Sequence, residues 1–360
     1  MGILRLLLAL CVVVHHTPKA GIVFTNGGVA VQAFYIISGF FISMVLTGKY
    51  QSLKTFYVNR ALRLYPIYLV TLALAAAQLL ISGSNYYLHR SDLAHVTDPL
   101  SAAALILSNL TLIGQEWIVW FDLHTPTGAL ALDLDIRPPA GDLAAWRYLL
   151  VPQAWTLSLE LAFYAIAPFV VKRRLWVIAA LAAASLAVRC SWEIAGVDYN
   201  LWVRRFFASE ACLFLLGVAA FRLSSTITTF VGPASRYIGF AAIAGLVVLI
   251  GVHSSVFGVS AAGRAALFFP LALSLPFIHD ALGRSEIDRR VGDLSYPVYI
   301  VHILVIAVIR WFWPELVQPA ITVVASLAVG IAAYLLIDRP VNRLRQKLVS
   351  TSNARLTSAQ

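Results

Sequence analysis

The chain reads as a succession of apolar runs separated by short basic and polar intervals. Such runs cover residues 4–18, 28–48, 64–82, 154–171, 175–190, 206–221, 237–252, 262–278, 296–313 and 316–337. Most approach the ~20 residues an α-helix needs to cross a bilayer. Lipid offers backbone polar groups no partner, so helices are the expected spanning element, and the strong hydropathy of each run argues against a barrel. An eleventh run, 102–121, is interrupted by Ser108, Asn109, Gln115 and Glu116. The pattern predicts an all-α polytopic membrane protein with about ten transmembrane helices and 102–121 as an extra re-entrant or interfacial helix. Residues 1–338 form the expected membrane domain. Residues 339–360 form a basic tail, whose Arg339, Arg343, Arg345 and Lys347 would rest on anionic headgroups. The hydrophilic interval 122–153 holds Asp122, Asp133, Asp135, Asp142 and Pro138–Pro139. It reads as a structured loop or lid that, with 83–101, could shape a substrate surface or simply be an acidic solvated loop.

Composition agrees with this pattern. Of the 360 residues, 60% are hydrophobic and only 12% charged, far from the balance of a soluble domain. The formal charge of +10 does not point to nucleic acid, because the basic residues lie between spans rather than in one patch. If 102–121 does not cross, most of the 27 Lys and Arg collect on one side: Arg5, Lys49, Lys54, Arg60, Arg63, Lys172, Arg173, Arg174, Arg222, Arg236, Arg284, Arg289, Arg290 and the tail. The positive-inside rule then places both termini in the cytoplasm and the protein in the cell membrane. A cleaved leader at the start would explain none of the later spans. Cys11, Cys190 and Cys212 are odd in number and lie in or beside apolar runs, so buried thiols are expected rather than disulfides or a metal site.

The candidate chemistry is the set of polar groups inside these runs, where each is costly unless it faces the protein interior. In a helix over 4–16, Arg5 and His16 fall within ~20° of one face and ~16 Å apart along the axis. Ser38–Gly39 sits mid-span, a place for close helix packing or for passage of a slender chain. Gln32, nearer the other end of that span, could donate to a carbonyl or to His16. Arg60 and Arg63 share a helix face and mutually repel, so they are either positive-inside flanking charges or the two sides of an anion site such as a phosphate. Glu160 lies in the fourth span with Tyr164 one turn on. It would fix the tautomer of His16 and make it a general base, or be satisfied structurally by Trp155 or a tyrosine. Ser295 and Pro297 read as the start of the ninth span. His302 and Tyr299 follow on the arginine side, where a ligand-path role is expected. Trp155, Tyr164 and Gln32 are candidate acceptor contacts.

These segments, in this order, resemble the acyltransferase-3 family of integral-membrane acyltransferases. The likeness rests on Arg5-x10-His16, on Phe34 to Phe40 (FYIISGF), on Arg60-x-x-Arg63, on Trp155 to Glu160 (WTLSLE) and on Ser295 to His302 (SYPVYIVH). The resemblance implies an acyl-CoA donor, usually acetyl-CoA, no metal, and transfer to a hydroxyl of a carbohydrate acceptor. Arg5, His16, Arg60 and Arg63 match the residues that the family depends on. His16 and Glu160 are then the catalytic pair. Arg5, Arg60, Arg63, Ser38, Gly39, Tyr299 and His302 would hold the donor. Two positions depart from the family pattern: Gln32 stands where an acid is common, and Asp338 replaces a glutamate. A glycan transporter or flippase is the rival reading, with the same polar groups lining a passage. The acceptor and the oligomeric state are left open.

Overall fold

The structure, a computed structural model, describes residues 1–18, 24–48, 52–134 and 138–357, and the side chains of these up to residue 349. Lys49 and Asp135, named above, lie outside the described residues. Each of the ten predicted spans coincides with a helix. They are α1 (Gly2–His16), α2 (Gly27–Gly48), α3 (Leu53–Ser82), α5 (Trp155–Val170), α6 (Leu175–Ile194), α7 (Phe207–Val231), α8 (Ala234–Val256), α9 (Ala261–Leu282), α11 (Ser295–Phe312) and α12 (Pro319–Ala333). Among the described residues three more α-helices occur: α4 (Pro99–Thr111), the short α10 (Glu286–Asp293) and α13 (Arg339–Thr357). Among the described residues eight helices are long and apolar enough to cross a membrane, one of them counting α10 and α11 as a single segment and another running from α12 into α13. The shorter α1 and α5 hold the centre of the bundle, and both are lined by buried residues.

The core forms where α2 crosses α7. A Cβ on Gly39 would lie 1.9 Å from the Phe214 carbonyl oxygen, and one on Gly217 would lie 1.9 Å from that of Ile36. The two glycines therefore let the backbones touch, the means by which membrane helices associate without a hydrophobic driving force. Gly39 thus serves packing against α7, and of the expected pair only Ser38 faces a cavity. Cys11 and Cys212 are buried as expected, but Cys190 lies on an exposed face of α6.

The run 102–121 does not form one continuous helix. Asp98 caps α4 by accepting from the Ser101 N–H at 2.8 Å, and Leu112 ends it in the left-handed region. The 13 residues of α4 reach ~20 Å against a hydrocarbon thickness of ~30 Å. The polar residues that interrupt the run hold the chain that follows against α3 and α5. Asn109 donates to the Leu105 and Tyr148 carbonyls at 2.9 and 3.0 Å. Gln115 donates to the Tyr68 hydroxyl at 3.0 Å, and Glu116 accepts from Ser158. Beyond it, 122–153 contains a feature that helical periodicity could not announce. It is a three-stranded antiparallel sheet in the order β2 (Ala129–Leu132), β1 (Phe121–His124), β3 (Leu143–Ala144). Leu79, Leu88, Leu105, Leu123 and Tyr148 form a small separate core under this cap.

Candidate active site

Three cavities follow one another through the bundle. The first, about 360 Å³, is walled by Arg5, Arg60, Arg63, Arg289 and Arg345 together with Glu160, Asp288 and Asp293. A narrow neck of about 60 Å³ shares Arg5, Ser38, Glu160 and Tyr296 with it. At its other end the neck shares Val31, Thr156 and Tyr299 with a third cavity of about 310 Å³, which contains His15 and His16. The row of cavities from guanidiniums to imidazole thus follows α1, whose Arg5 and His16 stand near its two ends.

In the basic cavity, α3 begins eleven residues before the apolar run predicted for it, so Arg60 and Arg63 sit within the helix rather than flanking it. Arg60 lies over the rings of Phe56 and Tyr164, 5.9 and 5.8 Å from their centroids. Arg63 is 3.7 Å from Asp293, and Arg5 is 5.7 Å from the Phe41 ring. Asp288 accepts from the backbone N–H groups of Gly2 and Ile3 at 2.9 and 3.0 Å, satisfying the start of α1. Arg345 departs from the headgroup role expected for the tail. It is buried, lines this cavity and donates to Asn59 at 2.9 Å, because α13 folds back along α3.

In the third cavity the tautomers follow from the hydrogen bonds. His302 Nδ1 is 2.5 Å from the Tyr299 carbonyl oxygen, and His16 Nδ1 is 2.9 Å from that of Val12. Carbonyls only accept, so each Nδ1 carries the proton. His302 Nε2 is left as an acceptor 3.2 Å from His16 Nδ1, and His16 Nε2 keeps its lone pair. An imidazole oriented through one nitrogen, with its unprotonated second nitrogen beside a cavity, has the geometry that a general base requires. Tyr86 donates to the His16 carbonyl at 2.6 Å and fixes the end of α1.

The partner of His16 is therefore His302, not Glu160. Glu160 accepts from Ser38 at 2.8 Å and from Tyr164 at 2.6 Å, and it lines the basic cavity and the neck. The reason is depth. The turn Pro152–Ala154 already lies inside the protein, with Gln153 donating to the Ile300 carbonyl at 2.6 Å. Glu160, seven residues further, then sits ~10 Å deeper still. Tyr164 follows it into the basic cavity, away from any acceptor near His16. His302 is fully buried with both ring nitrogens engaged, so it positions His16 and touches no ligand path. Tyr299 does line the path, its hydroxyl held by Thr156 at 2.7 Å and the Gln153 carbonyl at 3.0 Å.

Gln32 also departs from its expected role. It is buried and donates to Glu210 of α7 at 2.6 Å and to the Tyr199 hydroxyl at 3.0 Å. Glu210 is fully buried, and its Oε1 accepts from Gln32 and, at 2.9 Å, from Arg189. The carboxylate absent at position 32 thus arrives from another helix. Arg189 and Glu210 escaped the sequence reading, although an ionisable residue in each of two neighbouring apolar helices was the available signal. Trp155 does face the third cavity, where Arg205 and Arg204 lie 4.4 and 5.4 Å from its ring centroid. That arginine pair, at the mouth of α7, was also unrecognised. Among the described residues no three or more His, Cys, Asp or Glu stand together as a metal site.

Comparison with known proteins follows this geometry. The chain is 26% identical over 355 residues to Nodulation protein 10 of Rhizobium leguminosarum bv. viciae, covering 91% of this chain and 85% of the relative. It is 25% identical over 338 residues to the Exopolysaccharide production protein ExoZ of Rhizobium meliloti (strain 1021), covering 91% and 94%. It is 28% identical over 302 residues to the Acyltransferase MdmB of Streptomyces mycarofaciens, covering 78% and 69%. No solved structure matches the chain. The profile of the acyltransferase-domain family Acyl_transf_3 matches residues 1–339, so this polytopic membrane protein belongs to the acyltransferase-3 family.

Proposed function

We propose that the protein transfers an acyl group, acetyl in the first instance, from acyl-CoA on the cytoplasmic side of the cell membrane to a hydroxyl of an exported glycan. One observation carries this reading: three cavities that share walls, with arginines lining the first and an imidazole whose Nε2 bears no proton lining the last. A nucleotide-linked thioester has the matching form, with phosphates at one end, a slender arm and a reactive carbonyl at the other. Five guanidiniums against three carboxylates give the basic cavity the net charge to receive the phosphates. Both termini lie in the cytoplasm in this reading, in keeping with the excess of basic residues on that side. The glycan acceptor is supported by the names of two relatives, which refer to nodulation and to exopolysaccharide production.

Arg5, Arg60, Arg63 and Arg345 would hold the phosphates, and Ser38 and Tyr299 would line the route of the arm. His16 Nε2 takes the proton from the acceptor hydroxyl while its oxygen attacks the thioester carbonyl. As the C–S bond breaks, the imidazolium returns that proton to the departing thiolate, leaving an ester and free CoA thiol. His302 Nε2 accepts from His16 Nδ1–H throughout and stabilises the transient imidazolium. Ser38 Oγ donates to Glu160 rather than to a histidine, which favours direct transfer over a seryl intermediate. Glu160 holds Ser38 and Tyr164 in place where the cavity narrows.

The test uses purified protein in lipid nanodiscs. Acetyl-CoA binding is measured by calorimetry for wild type and for Arg60→Gln/Arg63→Gln. Loss of two charge-assisted contacts should weaken binding by about a hundredfold; unchanged affinity would remove the phosphate assignment. Transfer of labelled acetyl to de-acylated surface polysaccharide should fall at least a thousandfold in His16→Gln. Wild-type turnover in that variant would refute the base.

A further inference from the structure

The histidine cavity borders the cap. A cleft of about 710 Å³ lies beside it, and the two share Tyr87, Ala144 and Trp146 as a common wall. Three aromatic rings define the cleft. The Tyr86 and Tyr87 centroids are 4.5 Å apart, and those of Tyr87 and Trp146 are 5.0 Å apart, both pairs edge to face. All three rings are only half-buried. The Arg310 guanidinium lies over Tyr86, 4.4 Å from its centroid.

The polar groups around the rings are fixed by hydrogen bonds and ion pairs within the cap, Arg147 lying 3.8 Å from Asp92. Asp142 sits between His124, 3.1 Å away, and the Thr125 N–H at 3.2 Å. The hydrogen bond from His124 holds its carboxyl below the usual carboxylate range, so it remains an ionised acceptor at neutral pH. Arg147 donates through Nε to the Tyr87 carbonyl at 3.0 Å, and its side chain is still 31% exposed. A pyranose presents an apolar C–H face and a rim of hydroxyls that act as both donors and acceptors. Aromatic faces answer the first requirement, and an ionised carboxylate with a planar guanidinium answers the second. A lipid chain would want neither Asp142 nor Arg147, and an inorganic anion would gain nothing from three rings.

We propose that this cleft is a sugar subsite, and that it holds the residue next to the one being acylated. This rests on the glycan-acceptor reading above and deepens it: the acceptor is an oligosaccharide or polymer, not a lone sugar. The shared wall sets the register. A hydroxyl placed at His16 Nε2 puts its own ring in the histidine cavity, and the neighbouring ring passes Tyr87 and Trp146 into the cleft. Tyr86 links the two places, since the residue that walls the cleft also donates to the His16 carbonyl at 2.6 Å.

The experiment uses the host's surface polysaccharide, de-acylated, partly hydrolysed and sorted into chains of one to six sugar units. Binding to the full-length protein in nanodiscs is measured by calorimetry, and acetyl transfer to the same fractions is measured separately. For wild type, affinity should rise about tenfold from one unit to the length that fills the cleft and then level off. Trp146→Ala should abolish that length preference, and Trp146→Phe should restore most of it, which separates loss of the ring from loss of the fold. Equal affinity for all lengths, or a length preference surviving in Trp146→Ala, would overturn the subsite. Length-dependent binding without acetyl transfer would leave the subsite standing and refute the donor reading instead. Transfer equally efficient at every length would do the reverse.

Discussion

The contact with the sharpest consequence is the one between the two histidines. His302 Nε2 can only accept, and the proton it faces is that on His16 Nδ1, 3.2 Å away. This contact is weak while His16 is neutral and strengthens as His16 takes up the acceptor's proton, so it acts mainly in the transition state. A hydrogen bond to a charged group contributes about 1.5–3 kcal/mol, and each 1.36 kcal/mol is tenfold in rate. His302→Ala should therefore lower kcat by about 10- to 150-fold, with little change in the KM for acetyl-CoA, whose contacts lie at the other end of the path. His302→Gln places an amide oxygen near the lost nitrogen and should recover most of the loss. The assay follows acetyl transfer to de-acylated surface polysaccharide, with the amount of folded protein checked by size-exclusion profile. Wild-type kcat in His302→Ala would refute the reasoning outright. Equal damage in the alanine and glutamine variants would show that His302 matters for packing alone.

Other outcomes follow from the same geometry. Arg345→Gln should weaken acetyl-CoA binding about tenfold, whereas Arg343→Gln, at an exposed position of the same helix, should leave it unchanged; equal effects in a calorimetric titration would return the tail to a headgroup role. Gly39→Ala drives a methyl group to 1.9 Å from the Phe214 carbonyl oxygen, so α2 and α7 must separate. A loss of about 1–3 kcal/mol should appear as a lower midpoint in thermal unfolding, and an unchanged midpoint would count against the crossing described. Asp122 is pushed up to about 6 by burial and by neighbouring Asp133 and Asp142, against an ordinary value near 3.8. A raised carboxyl pKa means the folded cap holds the proton more tightly. The contribution of Asp122 to the cap's stability should be full below about pH 4 and fall by about 1–3 kcal/mol between pH 4 and 6, with no further loss above. Hydrogen exchange of the β1 amides, corrected for intrinsic rates, should show this in wild type and not in Asp122→Asn.

The architecture was largely legible in the residues. A lipid-facing helix must be continuously apolar over ~20 positions, so each span announces itself locally, and the run 102–121 betrayed its different status through four polar residues. Arg5 and His16 stood out for the related reason that a charge in such a run is costly, and Arg60 and Arg63 through their shared helix face; all four line cavities. The three-stranded cap was not, because strands of two to four residues carry too few positions for alternation to register. Cys190 was misread because an apolar run does not say which of its faces meets the protein.

Partnership was the least legible feature, for a geometric reason. Periodicity places a residue around its own helix, but hydrogen bonds between helices depend on how deep each one starts and how it is rotated, to within a few ångströms. Glu160 and His302 were both recognised as chemistry-bearing residues and assigned to each other's places, because α5 begins inside the protein and α1 stops well short of a full span. Gln32 found Glu210 across helices that no local pattern relates. The sequence by itself determined that this chain lives in a membrane and which side chains would be costly there. Only the tertiary structure decided which of those side chains meet, since burial energy depends on composition along one segment whereas a hydrogen bond requires two segments at a fixed distance.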